Sequence, residues 1–184
     1  MEETELQIRF KQGDEDAFRV LVERHHRAIL NLCHRYVGNQ EDAEEVAQDV
    51  FVRAYRARES YEPRAKFSTY LYRIAVNLSL NRIRDRKRRF GLLEDTLTED
   101  RSLALAEGNP RPDELLERKE QQAAIRKALD SLPERQRTAV LLKRFQGLSY
   151  EEIADVMDCS LSAVEAILHR AKRNLQKRLK PLAS

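Results

Sequence analysis

Apolar side chains recur every three or four residues over most of the chain, the spacing of the buried face of an α-helix. One stripe runs from Phe18 to Tyr36, and Gly38 then predicts the end of that helix. A second stripe runs from Ala43 to Tyr55, and a third helix is expected from about residue 69 to residue 88. Almost no stretch alternates apolar and polar residues over the length of a strand, so we expect an all-α fold without β-sheet.

Helix start signals divide the C-terminal part of the chain into further helices. Asp113 is expected to cap a helix that runs to about Asp130, and Ser131 with Glu134 reads as a capping box for a helix that ends at Gly147.

A helix-turn-helix is predicted beyond Gly147. Ser149 and Glu152 form a second predicted capping box, which opens a short helix. A turn at Asp158 follows, and Ser160 or Ser162 is expected to cap a long basic helix. A short helix, a tight turn and a longer basic helix are typical of this DNA-binding motif.

The charge distribution predicts two small helical domains joined by a flexible acidic linker. Residues 1–89 hold 18 basic and 15 acidic side chains, residues 90–113 hold 2 and 6, and residues 114–184 hold 14 and 10. The central segment has no sustained helical period and contains Gly108 and two prolines, as linkers do. We expect domain boundaries at 89/90 and 113/114, with the helix-turn-helix in the second domain.

Composition excludes several classes of protein. With 35% charged residues and no apolar run longer than four, the chain has no segment able to span a bilayer. The acidic N-terminus lacks the features of a secretory signal, so we expect a cytoplasmic protein without membrane insertion. Cys33 and Cys159 are far apart in sequence, which excludes a disulfide framework.

No enzymatic centre can be assembled from the sequence. His25, His26, Cys33 and His34 lie within ten residues, but their helical positions diverge, so we expect no metal site. The acidic face of the second stripe lacks a partner base, a nucleophile or a phosphate-binding loop. We therefore expect no catalytic residue, no metal and no cofactor.

Two parts of the chain favour nucleic-acid binding: the segment from Tyr61 to Arg89 and the final helix. Residues 82–89 hold six cations and one acid, a charge run that attracts phosphate but is also common at solvated helix ends. Aromatic side chains just upstream, at Tyr61, Phe67 and Tyr70, favour stacking of unpaired bases. The final helix offers Arg170 and neighbours at the spacing of a recognition helix in the major groove.

Five motifs, in order and spacing, resemble those of the extracytoplasmic-function (ECF) group of sigma-70 family RNA polymerase sigma factors. They are DAEEVAQDVFVRAY at 42–55, FSTYLYRIAVN at 67–77, LPERQR at 132–137, LSYEEIA at 148–154 and LHRA at 168–171. The resemblance covers residues 10–90 and 113–180. It implies a subunit that binds core polymerase through the clamp helices of the largest subunit and the flap of the second-largest subunit, that directs initiation at promoter DNA, and that is held by an anti-sigma factor.

The resemblance also implies three sets of site residues. The polymerase-binding set is Asp42, Glu45, Gln48, Asp49, Val52 and Arg53. The set for the melted minus-ten element is Tyr61, Arg64, Lys66, Phe67, Ser68, Thr69, Tyr70, Arg73, Asn77, Asn81, Arg84 and Arg88. The set for the minus-thirty-five element is Ser160, Ser162, Ala163, Glu165, Ala166, His169, Arg170 and Arg173.

Some positions depart from the family pattern. Tyr70 stands where the family usually has Trp, and Asp158 replaces a common turn glycine. Glu165 could accept a hydrogen bond from cytosine or pair with Ser162 at the helix start. A stand-alone helix-turn-helix regulator is the alternative interpretation, and a small helical enzyme is a third.

Overall fold

The computed structural model describes residues 2–62, 66–90 and 112–179, with side chains of the helix that starts at Pro112 described from residue 120 onward. All regular secondary structure in these ranges is helical. The chain divides into two compact units, 1–101 and 102–184. The helices are α1 (Glu3–Lys11), α2 (Glu15–Val37), α3 (Gln40–Arg56), α4 (Phe67–Phe90), α5 (Pro112–Asp130), α6 (Glu134–Phe145), α7 (Tyr150–Met157) and α8 (Leu161–Leu179), with a single 3-10 turn at Arg58–Ser60.

The expected all-α fold with two small helical domains is confirmed. The predicted linker at 90–113 falls almost entirely outside the described residues. Its boundaries at 89/90 and 113/114 stay predictions. No helix in the described ranges has the length and apolar character needed to cross a membrane.

In the first unit, α2, α3 and α4 pack together along the predicted apolar stripes. Leu21 and Leu32 of α2 and Val50 of α3 are fully buried. The end of α2 is the predicted one, because Gly38 adopts the left-handed conformation (φ 87°) and its N–H donates to the carbonyl of His34. Three fully buried alanines of α3, at 43, 47 and 54, leave room for close helix packing.

The sequence interpretation missed α1. Leu6 and Phe10 of this helix are fully buried, and Phe10 packs against Phe18 of α2 with ring centroids 5.4 Å apart. The buried Gln7 accepts a hydrogen bond from the hydroxyl of Tyr61 at 3.0 Å. A helix of only nine residues is therefore held by contacts to residues far along the chain.

A buried thiol lies between α2 and α4. Cys33 is fully buried, and burial raises its pKa to about 11. The other thiol, Cys159 in the second unit, is partly exposed.

The second unit contains the predicted helix-turn-helix. Leu142 of α6, Ile153 of α7 and Val164 of α8 are fully buried and join these helices. The Ser149 capping box is confirmed in both directions, since the N–H of Glu152 donates to the serine hydroxyl (3.1 Å) and the carboxylate accepts from the serine N–H (2.8 Å).

The turn between α7 and α8 is also as predicted. Asp158 adopts the left-handed conformation, with φ 50° and ψ 58°. Aspartate tolerates that region better than most residues, which explains how the turn forms without glycine. The hydroxyl of Ser160 accepts from the N–H of Ala163 at 3.2 Å, so Ser160 is the cap of α8.

Three boundary predictions are wrong. Ser131 forms no capping box, because α6 begins at Glu134 with Pro133 at the cap, and the Ser131 hydroxyl instead donates to the carbonyl of Ala128. Helix α6 ends at Phe145, short of Gly147. Asp113 lies inside α5, since that helix starts at Pro112, a residue suited to a first helical position.

Candidate nucleic-acid and partner-binding surfaces

One face of α3 is exposed along its middle. Gln48, Asp49, Val52 and Arg53 all point away from the core, and Val52 is 38% exposed. Val52 is thus a partly open apolar side chain among polar and charged neighbours on this face.

An apolar groove continues this face onto α2. The groove encloses about 650 Å³. Its walls are Phe18, Val22, His26 and Leu30 of α2 and Glu44, Gln48, Phe51, Val52, Tyr55 and Arg56 of α3. The sequence interpretation missed the contribution of α2, because its stripe gave no sign that Val22 and Leu30 lie at the edge of the core rather than within it.

Asp42 and Glu45, predicted with the same face, are paired within the chain. The Nε of Arg82 on α4 donates to the carboxylate of Asp42 at 2.8 Å, and the same guanidinium contacts Glu45. Burial alone would raise the pKa of Asp42. Hydrogen bonds from Asn39 and Arg82 outweigh burial, so its pKa lies below the ordinary value.

A polar ridge runs along α4. Arg73, Asn77, Asn81, Arg84 and Arg88 are exposed and follow one another at three- or four-residue steps. Such spacing aligns side chains on one face. Arg88 also pairs with Asp85, one turn earlier. The ridge offers cations and amides to a phosphate backbone and to base edges.

The predicted base-stacking aromatics differ in exposure. Tyr61 is 4% exposed and Phe67 is fully buried, and both rings pack against Phe10, at 5.7 and 5.2 Å. Burial raises the pKa of Tyr61 to about 12. Tyr70 is partly exposed and lies 4.8 Å from the Tyr61 ring, so Tyr70 is the aromatic of this cluster with an accessible surface.

The remaining residues of that predicted set lie at the start of α4. Lys66 is exposed and Ser68 partly exposed, whereas Thr69 is 5% exposed and faces the core. Arg64 lies outside the described residues.

On α8, the predicted recognition residues occupy the outer face. Ser160, Ser162, Glu165, His169, Arg170 and Arg173 are exposed, and Ala163 and Ala166 are partly exposed. The hydroxyl of Ser162 lies 3.1 Å from that of Ser160. Glu165 is exposed and open to solvent on this face.

A second cavity of about 450 Å³ joins the start of α6 to this face, an association that the sequence interpretation missed. Its lining includes Arg135 and Gln136 beside Ala163, Ile167 and Arg170. Gln136 also accepts a hydrogen bond from the amide of Asn174 at 2.8 Å. The first turn of α6 therefore extends the surface offered by α8.

Two family models match the chain. The model for sigma-70 region 2 matches residues 21–89, and the model for sigma-70 region 4 matches residues 122–175. The first range contains α3 and all but the last residue of α4, and the second contains α6, α7 and most of α8.

Curated relatives match over nearly the whole chain. RNA polymerase sigma-H factor of Pseudomonas aeruginosa is 36% identical, over 98% of this chain and 95% of the relative. ECF RNA polymerase sigma factor SigW of Bacillus subtilis is 36% identical, over 94% of each. ECF RNA polymerase sigma-E factor of Escherichia coli is 35% identical, over 95% of this chain and 92% of the relative.

Solved structures share the fold. CnrH, solved in complex with the cytosolic domain of CnrY, has a TM-score of 0.72 and 25% identity, with 97% of each chain covered. The sigma factor RpoE from Bartonella quintana has a TM-score of 0.69 and 23% identity, over 89% of this chain and 96% of the other.

Proposed function

Because the chain belongs to the ECF group of the sigma-70 family, we propose that it is an alternative sigma factor that binds core bacterial RNA polymerase and directs promoter-specific initiation. Members of this family are transcription initiation factors without enzymatic activity, and we propose the same for this chain. One observation supports the proposal most strongly. The first unit has an exposed polar and cationic ridge on α4, and the second unit has a capped helix-turn-helix. A stand-alone regulator has no use for the ridge.

The α3 face is the proposed docking surface for the clamp helices of the largest polymerase subunit. Gln48, Asp49, Val52 and Arg53 combine an apolar centre with flanking charges, the composition of a protein interface with a polar rim. The groove beside Val52 adds apolar area that a partner helix would cover.

An Asp49→Arg substitution tests this docking surface. We expect affinity for core polymerase to fall about 10-fold, because a charge reversal at an interface rim replaces attraction with repulsion. A fluorescence titration against core polymerase measures the change, and circular dichroism checks that the helices are intact. Unchanged affinity would remove Asp49 from the docking surface.

The α4 ridge is the proposed site for the melted minus-ten strand. Support comes from the exposed series Arg73, Asn77, Asn81, Arg84 and Arg88, and from Lys66 and Ser68 at its start. We propose that a base turned out of the stack lies against Tyr70. Stacking of this kind is worth about 1–3 kcal/mol per base.

Tyr61, Phe67 and Thr69 act, in this proposal, beneath the ridge rather than on it. Their burial leaves no ring face or hydroxyl for a base, and the two aromatic rings support Tyr70 from below. Arg64 stays a prediction from the resemblance.

The exposed face of α8 is the proposed reader of the minus-thirty-five element in the major groove. Arg170 and Arg173 can contact guanine or phosphate, Ala163 and Ala166 can approach a thymine methyl, and Glu165 can accept from cytosine. His169 and the hydroxyls of Ser160 and Ser162 complete the surface.

An Arg170→Ala substitution tests the reading by α8. We expect holoenzyme binding to the promoter to weaken by about 1–3 kcal/mol if Arg170 makes a bidentate guanine contact. Competition binding with wild-type and scrambled upstream DNA measures the loss. The loss should vanish on scrambled DNA; an equal loss on both sequences would assign Arg170 to phosphate contact only.

Further partners follow from the same proposal. We propose that the second unit contacts the flap of the second-largest polymerase subunit and that an anti-sigma factor holds the free protein. CnrH, 25% identical to this chain, is bound to the cytosolic domain of another protein. A subunit of the transcription apparatus works on the bacterial chromosome, so we propose a cytoplasmic location.

The deciding experiment is titration of the protein against core polymerase from its own bacterium, followed by run-off transcription on fragmented genomic DNA. We expect tight binding and new, discrete transcripts. Absence of core binding together with specific duplex binding by the protein alone would contradict the proposal and favour a stand-alone regulator.

A further inference from the structure

The last turns of α4 carry much of the ridge but no part of the core. The buried residues of this helix end at Ser79, and from Leu80 to Phe90 every side chain is at least partly exposed. Asn81, Arg84 and Arg88 all lie in this segment. A helical end that adds no buried side chain to the core tends to fray.

Two arginines of this segment connect it to the beginning of α3 and the end of α2. Arg82 binds Asp42 and Glu45, as described above. Arg86 donates to the carbonyl of Val37 at 3.1 Å and lies 3.9 Å from the carboxylate of Asp42. We call Arg82, Arg86, Asp42 and Glu45 the latch.

The acceptors of the latch are themselves held in place. Asp42 accepts a second hydrogen bond from the side-chain amide of Asn39 at 2.8 Å, and its N–H donates to the Asn39 side chain. Asn39 is the cap of α3, and Val37 ends α2. The latch therefore joins α4 to two fixed helix ends rather than to a mobile surface.

Helix geometry separates the latch from the ridge. Successive residues of an α-helix are rotated by about 100°, so Arg82 and Arg86 lie on one side of α4 while Arg84 and Arg88 lie on the opposite side. The cation cluster of residues 82–89 thus has two parts. One part faces inward to carboxylates, and the other faces outward.

The latch is too exposed to decide whether the unit folds. The side chains of Arg82 and Glu45 are 35% and 57% exposed, and ion pairs of this kind contribute little to overall stability. They do oppose fraying of a segment in which no side chain is fully buried, and they offset repulsion within the cation cluster.

We propose that Arg82 is a positioning residue, which with Asp42 and Glu45 holds the end of α4 rigid and so fixes the direction in which Asn81, Arg84 and Arg88 face promoter DNA. Asp42 and Glu45, on this proposal, serve the DNA surface and are not polymerase contacts. The rigidity of α4 stands independently of the proposed sigma function, whereas its effect on promoter opening rests on that function.

Amide hydrogen exchange of the free protein tests whether the latch holds the end of α4 rigid. In Arg82→Gln we expect exchange at residues 82–90 to become about 10-fold faster, with exchange at 67–79 unchanged. Arg19→Gln is the matched control, because Arg19 also pairs with an aspartate, Asp16, on an exposed helix surface. Unchanged exchange at 82–90, or equal acceleration throughout the first unit, would overturn the latch.

Promoter opening by the holoenzyme tests whether Arg82 positions the ridge on promoter DNA. With Arg82→Gln we expect affinity for core polymerase to stay within twofold, and permanganate-reactive open complex to fall about 10-fold. Arg82→Lys keeps the charge and should recover part of the loss. Normal opening with a frayed α4, or a loss of core affinity that matches the loss of opening, would overturn the positioning role.

The two measurements also distinguish a failure of the proposed sigma function from a failure of the latch. If wild-type protein opens no promoter, the proposed sigma function fails, while hydrogen exchange still decides whether the latch holds α4.

Discussion

A Phe10→Ala variant is expected to lose about 3–5 kcal/mol of the unfolding free energy of the first unit. Phe10 is fully buried, and its ring contacts the rings of Phe18, Tyr61 and Phe67. Truncation removes three aromatic contacts and leaves a cavity where α1 meets α2 and α4. Small domains are stable by only about 5–15 kcal/mol, so the loss is a large fraction of the total.

Urea unfolding of the full chain followed by tyrosine fluorescence measures this loss. Five of the six tyrosines lie in the first unit and the chain has no tryptophan, so the signal reports mainly on that unit. Ile8→Ala is the matched control, because Ile8 lies on the same helix but is 48% exposed. A loss below about 1 kcal/mol for Phe10→Ala, similar to the control, would mean that α1 is not integral to the core.

A Val52→Arg variant is expected to weaken binding to core polymerase by at least about 2 kcal/mol, or about 30-fold. Val52 lies on the proposed docking face and lines the groove between α2 and α3. An arginine there places a charge in an apolar contact, which must then be desolvated without a partner. The fold is unaffected, because Val52 is not part of the core.

Titration against core polymerase checks the prediction, with Ile8→Arg as control. Ile8 is an exposed apolar residue of the same unit that does not line the groove. The control should bind like the wild type. Equal losses for both variants would indicate a nonspecific effect of added charge, and no loss for Val52→Arg would exclude the groove from docking.

Features set by neighbouring residues were predictable from the sequence. The Ser149 capping box, the end of α2 at Gly38 and the left-handed turn at Asp158 depend on a few consecutive side chains and their own backbone. The helix-turn-helix follows from such signals, and so do the apolar stripes of α2 and α3.

Features set by distant residues were not predictable. Helix α1 offers only a short apolar pattern, and its stability depends on Tyr61, which is 54 positions from Gln7. Ser131 lies in a capping-box sequence, but its hydroxyl donates a hydrogen bond to the carbonyl of Ala128 in the preceding helix. Local pattern cannot decide between two such partners.

The candidate site shows the same limit. Periodicity places Asp42 and Glu45 on an outer face of α3, but not opposite Arg82, which is 40 residues away from Asp42. Likewise, an aromatic composition cannot distinguish Tyr70, which reaches the surface, from Phe67, which is enclosed by α1 and α2.

The buried thiol of Cys33 gives the protein a built-in chemical reporter. Burial raises the pKa of this thiol to about 11, so the reactive thiolate is scarce at neutral pH, and the buried position keeps reagents away. Alkylation at Cys33 therefore requires the first unit to open, while Cys159 in the second unit reacts in the closed state and supplies an internal reference. In the free protein, the ratio of label on the two cysteines therefore follows the opening of the first unit.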